Sequence, residues 1–122
     1  MRGALLTDLY ELNMEASYLR RGMDGPATFS LYVRSLPSRR GFLVAAGLAS
    51  CLRFLEDFGF DAEELGYLGA IGFDDQALED FANVRFDGEV RAVPEGRIVH
   101  GEEPILEVTA PIAVAQLVET YL

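Results

Sequence analysis

The sequence predicts a folded protein of the mixed α/β class, and three observations carry that expectation. Hydrophobic residues make up 50% of the chain, enough apolar surface to close a core and too much for a disordered tail. Segments whose apolar residues recur at helical spacing are interspersed with segments of strict apolar–polar alternation, so both kinds of element are present. Turn sequences rich in glycine and proline punctuate them, at Asp24-Gly25-Pro26, Pro94-Glu95-Gly96 and Gly101-Glu102-Glu103-Pro104. A chain of 122 residues has room for one such domain with a moderate core.

The first helix is expected from Thr7 to Arg20 or Arg21, with Gly22 as its stop. Thr7 would cap it by accepting from the free N–H groups of the first turn, and Asp8 would complement the positive end of the dipole. Leu9, Leu12, Ala16 and Leu19 form its expected buried stripe; Tyr10, Met14 and Tyr18 form a second one. Ala27, Phe29, Leu31 and Val33 then alternate with Thr28, Ser30, Tyr32 and Arg34, as in a strand buried on one side. The loop from Leu36 to Gly41 follows. Phe42 to Ala45 suits a buried strand or the start of a helix equally by periodicity. The reading favoured is a strand paired with 27–34, after which Ala46-Gly47 leads into a helix through Phe58. Leu48, Leu52 and Leu55 are the stripe of that helix.

Asp61 to Leu68 and Asp74 to Phe81 are expected as short helices, each opening on acidic residues that suit a helix N-terminus. Val90–Val93, Arg97–His100 and Ile105–Val108 are expected as short strands. Pro111 then opens a last helix, at the position where a missing N–H costs nothing. Its face of Ala113, Leu117 and Tyr121 runs to Leu122 without a cap, a glycine or a polar tail. The sequence reads as the front part of a longer protein.

Charge and composition exclude several functions. The net charge is −10, which argues against general nucleic-acid binding, where a basic face is expected. All ten cationic side chains are arginines. Without lysine there is no Schiff base, no Walker-type phosphate lysine and no carrier for biotin or lipoate. That absence removes the carrier-domain reading of the strands between Gly88 and Val108, which share only the sheet shape of such domains. Arginine remains well suited to phosphate through paired, charge-assisted hydrogen bonds. Cys51 is the sole cysteine, so no internal disulfide forms and a reducing, cytoplasmic setting is expected. The apolar residues after Met1 are too few for a signal peptide, and the run from Gly41 to Ala49 is far short of a bilayer span.

Candidate chemistry is sparse. Arg34, Arg39 and Arg40 are the one concentrated positive region, placed to meet phosphate, diphosphate or carboxylate, although a solvated loop would carry the same pattern. Arg20 and Arg21 suit a helix C-terminus. His100 stands alone, with no evident acidic partner, and lacks the companions of a zinc site or a nucleophile triad. The acidic pairs Glu63-Glu64, Asp74-Asp75 and Glu102-Glu103 point apart or sit where helix starts want negative charge, so no metal site is expected. Cys51 belongs with the apolar flank of its helix. Tyr10 beside Asp8 at a helix start is a good place to hold a flat polar ring; a half-buried tyrosine and a first-turn charge would look the same.

The run Leu5-Leu6-Thr7-Asp8-Leu9-Tyr10-Glu11-Leu12-Asn13-Met14 resembles the start of nicotinate phosphoribosyltransferases, which typically read L-L-T-D-L-Y-x-L-T-M followed by a tyrosine. Phe29-Ser30-Leu31-Tyr32-Val33-Arg34, Arg40 to Leu48, Val93-Pro94-Glu95-Gly96, Glu103-Pro104-Ile105-Leu106 and Gln116-Leu117-Val118-Glu119-Thr120 fit the family in the same order. The resemblance covers nearly the whole chain. Asn13 departs from it, standing where the family usually has threonine, and keeps a hydrogen-bonding side chain.

The resemblance implies the α+β N-terminal domain of a type II phosphoribosyltransferase, with helices packed on a mainly antiparallel sheet. Residues 1–110 would form that domain, and 111–122 would begin the helix leading into an absent α/β barrel. The implied reaction joins nicotinate to 5-phosphoribosyl-1-pyrophosphate, giving nicotinate mononucleotide and pyrophosphate in NAD biosynthesis. It is assisted by ATP hydrolysis through a histidine in the barrel, with Mg2+ on the phosphates. His100 does not match that histidine, so no catalytic residue is carried over. Family enzymes are dimers in which an N-terminal tyrosine reaches the pyridine site of the other subunit; here that residue is Tyr10, with Asp8 beside it. Arg34, Arg39 and Arg40 follow as phosphate contacts on chemistry more than on residue matching. The alternatives are a nicotinamide-specific relative, and a non-catalytic accessory domain that docks on a barrel-bearing partner through its last helix.

Overall fold

The computed structural model describes residues 3–122; Met1, where the signal-peptide argument begins, lies outside them. The elements follow in the order α1 (Leu9–Arg20), β1 (Pro26–Leu31), β2 (Leu43–Val44), α2 (Leu48–Asp57), α3 (Ala62–Ala70) and α4 (Asp75–Asn83). Then come β3 (Glu89–Ala92), β4 (Ile98–Val99), β5 (Leu106–Pro111) and α5 (Ile112–Val118). Helices with antiparallel sheets make this the mixed α/β class that the sequence predicts.

Strand β5 is the centre of the fold. It pairs antiparallel with β1, from Pro26 opposite Pro111 to Leu31 opposite Leu106, and on its other edge with β3. Its strict alternation buries Leu106, Val108 and Ala110. The opposite face is polar: the Thr28 and Thr109 hydroxyls meet at 2.8 Å, and Ser30 donates to Glu107 at 3.0 Å. Such cross-strand pairs hold register where burial does not.

Strand β2 does not pair with β1, as the sequence reading expected. It pairs with β4, Leu43 opposite Val99 and Val44 opposite Ile98, and forms a separate two-stranded sheet. The Ala45 N–H donates to Arg97 and the Gly96 N–H to Ala45, both at 2.8 Å, and they extend this ribbon into the turn. That turn needs Gly96, whose φ of +85° places it in the left-handed region. Period-2 patterning says that a segment is a strand but not which edge it joins.

The helices differ from expectation in detail. Asp8, not Thr7, is the N-cap of α1, and the Glu11 carboxylate reaches back to accept the Asp8 backbone N–H at 3.0 Å. The Thr7 hydroxyl instead donates to that same carboxylate. The buried face is Glu11, Leu12 and Glu15, while Leu9 is exposed. Helix α1 packs against both α5 and α4, and the polar end of α5 satisfies Glu11, which turns the buried seam onto acidic positions. In α2 the buried pair is Phe54 and Leu55, and Leu52 faces outward. Helix α3 has the expected acidic start, a capping box in which the Asp61 side chain accepts from the Glu63 and Glu64 amides. Asp74 caps α4 by accepting from the Ala77 N–H at 2.9 Å.

The last helix ends at Val118, short of the expected run to Leu122, and the chain turns so that Tyr121 stacks on Phe54 with ring centroids 3.8 Å apart. Every residue from Ala113 to Val118 is buried, against α1, β1 and β5. The apolar helix face that an accessory domain was expected to offer a partner is thus covered from within the chain. A helix apolar all round belongs inside a core. The same core holds Leu12, Leu55, Phe58, Leu68, Phe81 and Val108, all nearly inaccessible. Each such side chain contributes about 1.5–3 kcal/mol by leaving water. Among the described residues no helix is long and apolar enough to cross a membrane.

Candidate functional site

The first turn of α1 presents its chemistry to solvent. Asp8 is exposed, and the Tyr10 ring is 57% exposed. The Tyr10 hydroxyl lies 3.4 Å from Glu11 Oε1, a long contact in which it donates. The neighbouring Glu11 carboxylate, slight burial and Asp8 together push that phenol above its ordinary value. It therefore stays a neutral donor at physiological pH.

Glu11 is the anchor that the sequence reading missed. Its carboxylate is buried yet fully engaged. Oε2 accepts from the Thr7 hydroxyl, from the Asp8 N–H at 3.0 Å and from the Thr120 hydroxyl at 3.0 Å. Oε1 lies 3.5 Å from the Gln116 amide, which also donates to Glu119 at 3.0 Å. Burial pushes the carboxyl up, but the donors from Thr7, Asp8, Thr120 and Gln116 together outweigh it and hold it below the usual carboxylate range. The signal for half of this was present in the sequence as the spacing of Asp8 and Glu11 in a capping box. The other half, Gln116 and Thr120, lies at the far end of the chain and is invisible to local pattern.

Arg34, Arg39 and Arg40 are exposed, and none forms a hydrogen bond or ion pair through its side chain with another described residue. Their loop leaves the Leu31 end of β1, where Leu31 and Leu106 line a pocket with Glu119 and Leu122. That is the end of α5 to which Glu11 is tied. The fold thus brings the root of the arginine loop and the first turn of α1 to one end of the domain, without a bond between them. A second, open pocket of about 510 Å3 lies beside the N-terminal arm, between Leu6, Ser50, Arg53, Phe54, Asp57 and Tyr121. Arg53 is a cation there that no sequence motif marks.

The remaining candidates fall into place as structure. Arg20 is more than a helix-end charge, since it pairs with Asp74 at 2.7 Å and ties α1 to the start of α4. His100 does have an acidic partner, contrary to the sequence reading: Glu103 accepts its backbone N–H at 2.7 Å and lies 3.4 Å from its ring. The turn between β4 and β5 folds Glu103 back, which spacing alone did not reveal. Cys51 is half-buried, and burial raises its thiol above the ordinary value, so it is a poor nucleophile. Among the described residues no group of three or more His, Cys, Asp or Glu side chains is placed to hold a metal ion.

One carboxylate is unexplained by any of this. Glu15, one turn beyond Glu11 on α1, is completely inaccessible, and neither of its oxygens has a hydrogen-bond partner among the described residues. Burial pushes its carboxyl up to about 8.

Residues 5–122 match the family described as the nicotinate phosphoribosyltransferase (NAPRTase) N-terminal domain. Nicotinate phosphoribosyltransferase pncB2 of Mycobacterium tuberculosis is 47% identical over 121 residues, covering 98% of this chain and 26% of the relative. The Bacillus subtilis nicotinate phosphoribosyltransferase is 39% identical over 98% of the chain and 25% of its own length. The crystal structure of human nicotinic acid phosphoribosyltransferase superposes with a TM-score of 0.83 at 35% identity, covering 95% of this chain and 24% of that one. The chain spans about a quarter of the length of these relatives. With its fold and its opening segment both matched, the chain belongs to the nicotinate phosphoribosyltransferase N-terminal domain family.

Proposed function

We propose that this chain serves as the front quarter of a nicotinate phosphoribosyltransferase, forming nicotinate mononucleotide and pyrophosphate from nicotinate and 5-phosphoribosyl-1-pyrophosphate. The observation that carries the reading is the exposed Tyr10 ring on a helix turn fastened by Glu11, within the segment that matches the family. The reaction must hold a planar aromatic acid in line with a developing ribosyl cation and a departing pyrophosphate. Tyr10 supplies a flat, neutral face for the pyridine ring. Asp8 orients the helix start and is kept from direct contact with the nicotinate carboxylate by like charge. Arg34, Arg39 and Arg40 offer free guanidinium groups to phosphate oxygens.

The site is completed by a second subunit in a cytoplasmic homodimer and by a barrel that supplies the histidine. ATP hydrolysis, with Mg2+ on the phosphates, assists the reaction through the barrel.

The test joins this chain to the portion of the M. tuberculosis relative that lies beyond the match. The chimera is expected to form nicotinate mononucleotide, and Tyr10→Ala is expected to raise its KM for nicotinate strongly at an unchanged melting temperature. A folded chimera without turnover would remove the proposed activity. A lowered melting temperature with unchanged KM would make Tyr10 a structural residue.

A further inference from the structure

The proposed role of Tyr10 demands that an exposed ring on a first helical turn be held in one place. First turns are the weakest part of a helix, because their N–H groups lack partners inside it. The chain addresses this with its own far end. Thr120, just beyond α5, donates its hydroxyl to Glu11 Oε2 at 3.0 Å, on the same oxygen that accepts the Asp8 N–H. Glu11 Oε1, the other oxygen of that carboxylate, is the one facing the Tyr10 hydroxyl. One carboxylate therefore joins the helix start, the tyrosine and the end of α5.

We infer that Thr120, acting through Glu11, is a positioning residue for Tyr10, so that the end of α5 sets the affinity of the site for its aromatic acid. The inference rests on the reading of Tyr10 given above. Thr120 is itself exposed and contributes nothing to the hydrophobic core, so its hydroxyl can be removed without opening a cavity. Gln116 adds a second, longer link to Glu11 Oε1. A hydroxyl donating to a carboxylate is directional and stronger than a neutral pair, and its loss frees the acceptor to turn away. Glu11 would then keep its local bonds to Thr7 and Asp8, with only the longer Gln116 contact still joining it to α5.

Two measurements test this, one of which needs no turnover. In the 122-residue chain, Thr120→Val is expected to speed amide hydrogen exchange at Asp8 and through the first turn of α1 by about tenfold. Amides of α3 should be unchanged, and Thr120→Ser should restore the slow exchange. Unaltered exchange in the first turn, or an equal acceleration everywhere, overturns the inference.

In the chimera, Thr120→Val is expected to raise the KM for nicotinate by up to about tenfold, with kcat and the KM for 5-phosphoribosyl-1-pyrophosphate within about twofold. Thr120→Ser should again restore it. If Tyr10→Ala raises the KM for nicotinate and Thr120→Val does not, the site reading stands and the positioning role is lost. If neither variant changes it, the reading of Tyr10 fails and takes this inference with it.

Discussion

Glu15 gives the sharpest stability test in the molecule. Its carboxyl is sealed between α1 and the core with no partner for either oxygen, so the charged form would lose its hydration and gain nothing in return. Burial raises its pKa from 4.5 to about 8. In the unfolded chain the same group ionises near 4.5. Between these values the unfolded state has lost a proton that the folded state keeps. Stability therefore falls as pH rises, by about 1.4 kcal/mol per pH unit, and levels off above pH 8. The accumulated opposition to folding is about 1 kcal/mol at pH 5, about 2 at pH 6 and about 4 at pH 7.5.

Glu15→Gln keeps the shape and removes the titration. Urea unfolding of both proteins from pH 5 to 8.5 should show the variant gaining on the wild type steadily up to about pH 8, at equal m-values. Glu15→Met, which also removes the unsatisfied polar atoms, should be more stable again. Two stability curves that run parallel across this range would refute the reasoning. So would a Glu15→Gln protein less stable than wild type at pH 7.5.

Other outcomes follow from the same structure. The 122-residue chain alone should form no nicotinate mononucleotide, as read by product chromatography against the chimera. Phe81→Ala should cost about 3–5 kcal/mol in chemical denaturation, because Phe81 is fully buried with its ring 5.1 Å from Phe60 and 5.5 Å from Phe73. Gly88→Ala should destabilise strongly in a thermal melt, since a Cβ there would lie 2.5 Å from the Thr109 carbonyl oxygen of the neighbouring strand. Asp74→Ala should lower the melting temperature near neutral pH by removing the α4 cap and the Arg20 partner. The Ala77 N–H, with Arg20 assisting, holds the Asp74 carboxyl below its ordinary value. Its contribution is present above the ordinary value of 3.8 and is lost as pH falls through the depressed value, so mutant and wild-type melts should converge in acid.

Local pattern was enough to place the elements. The alternation through Leu106, Val108 and Ala110, the acidic starts at Asp61 and Asp74, and the proline at the α5 boundary all speak through neighbours in sequence. The place of Tyr10 in the first turn was legible for the same reason, whereas the cap is Asp8 and not the expected Thr7. Partner choice was not legible. Strand β2 joins β4 rather than β1, because the period-2 signature is identical for either edge and only the three-dimensional path of the loop after β1 decides. The buried carboxylates of Glu11 and Glu15 contradict the rule that apolar residues mark the inner face, and only the packing of α1 on α4 and α5 reveals them. Sequence by itself thus determined most of the helical and strand segments and put Tyr10 in the first turn of α1. It left Phe42 to Ala45 open by periodicity and the exposure of the ring undecided. Tertiary structure alone decided that Thr120 holds that turn while Glu15 is left without a partner, because a hydrogen bond between chain ends depends on distances that no local spacing encodes.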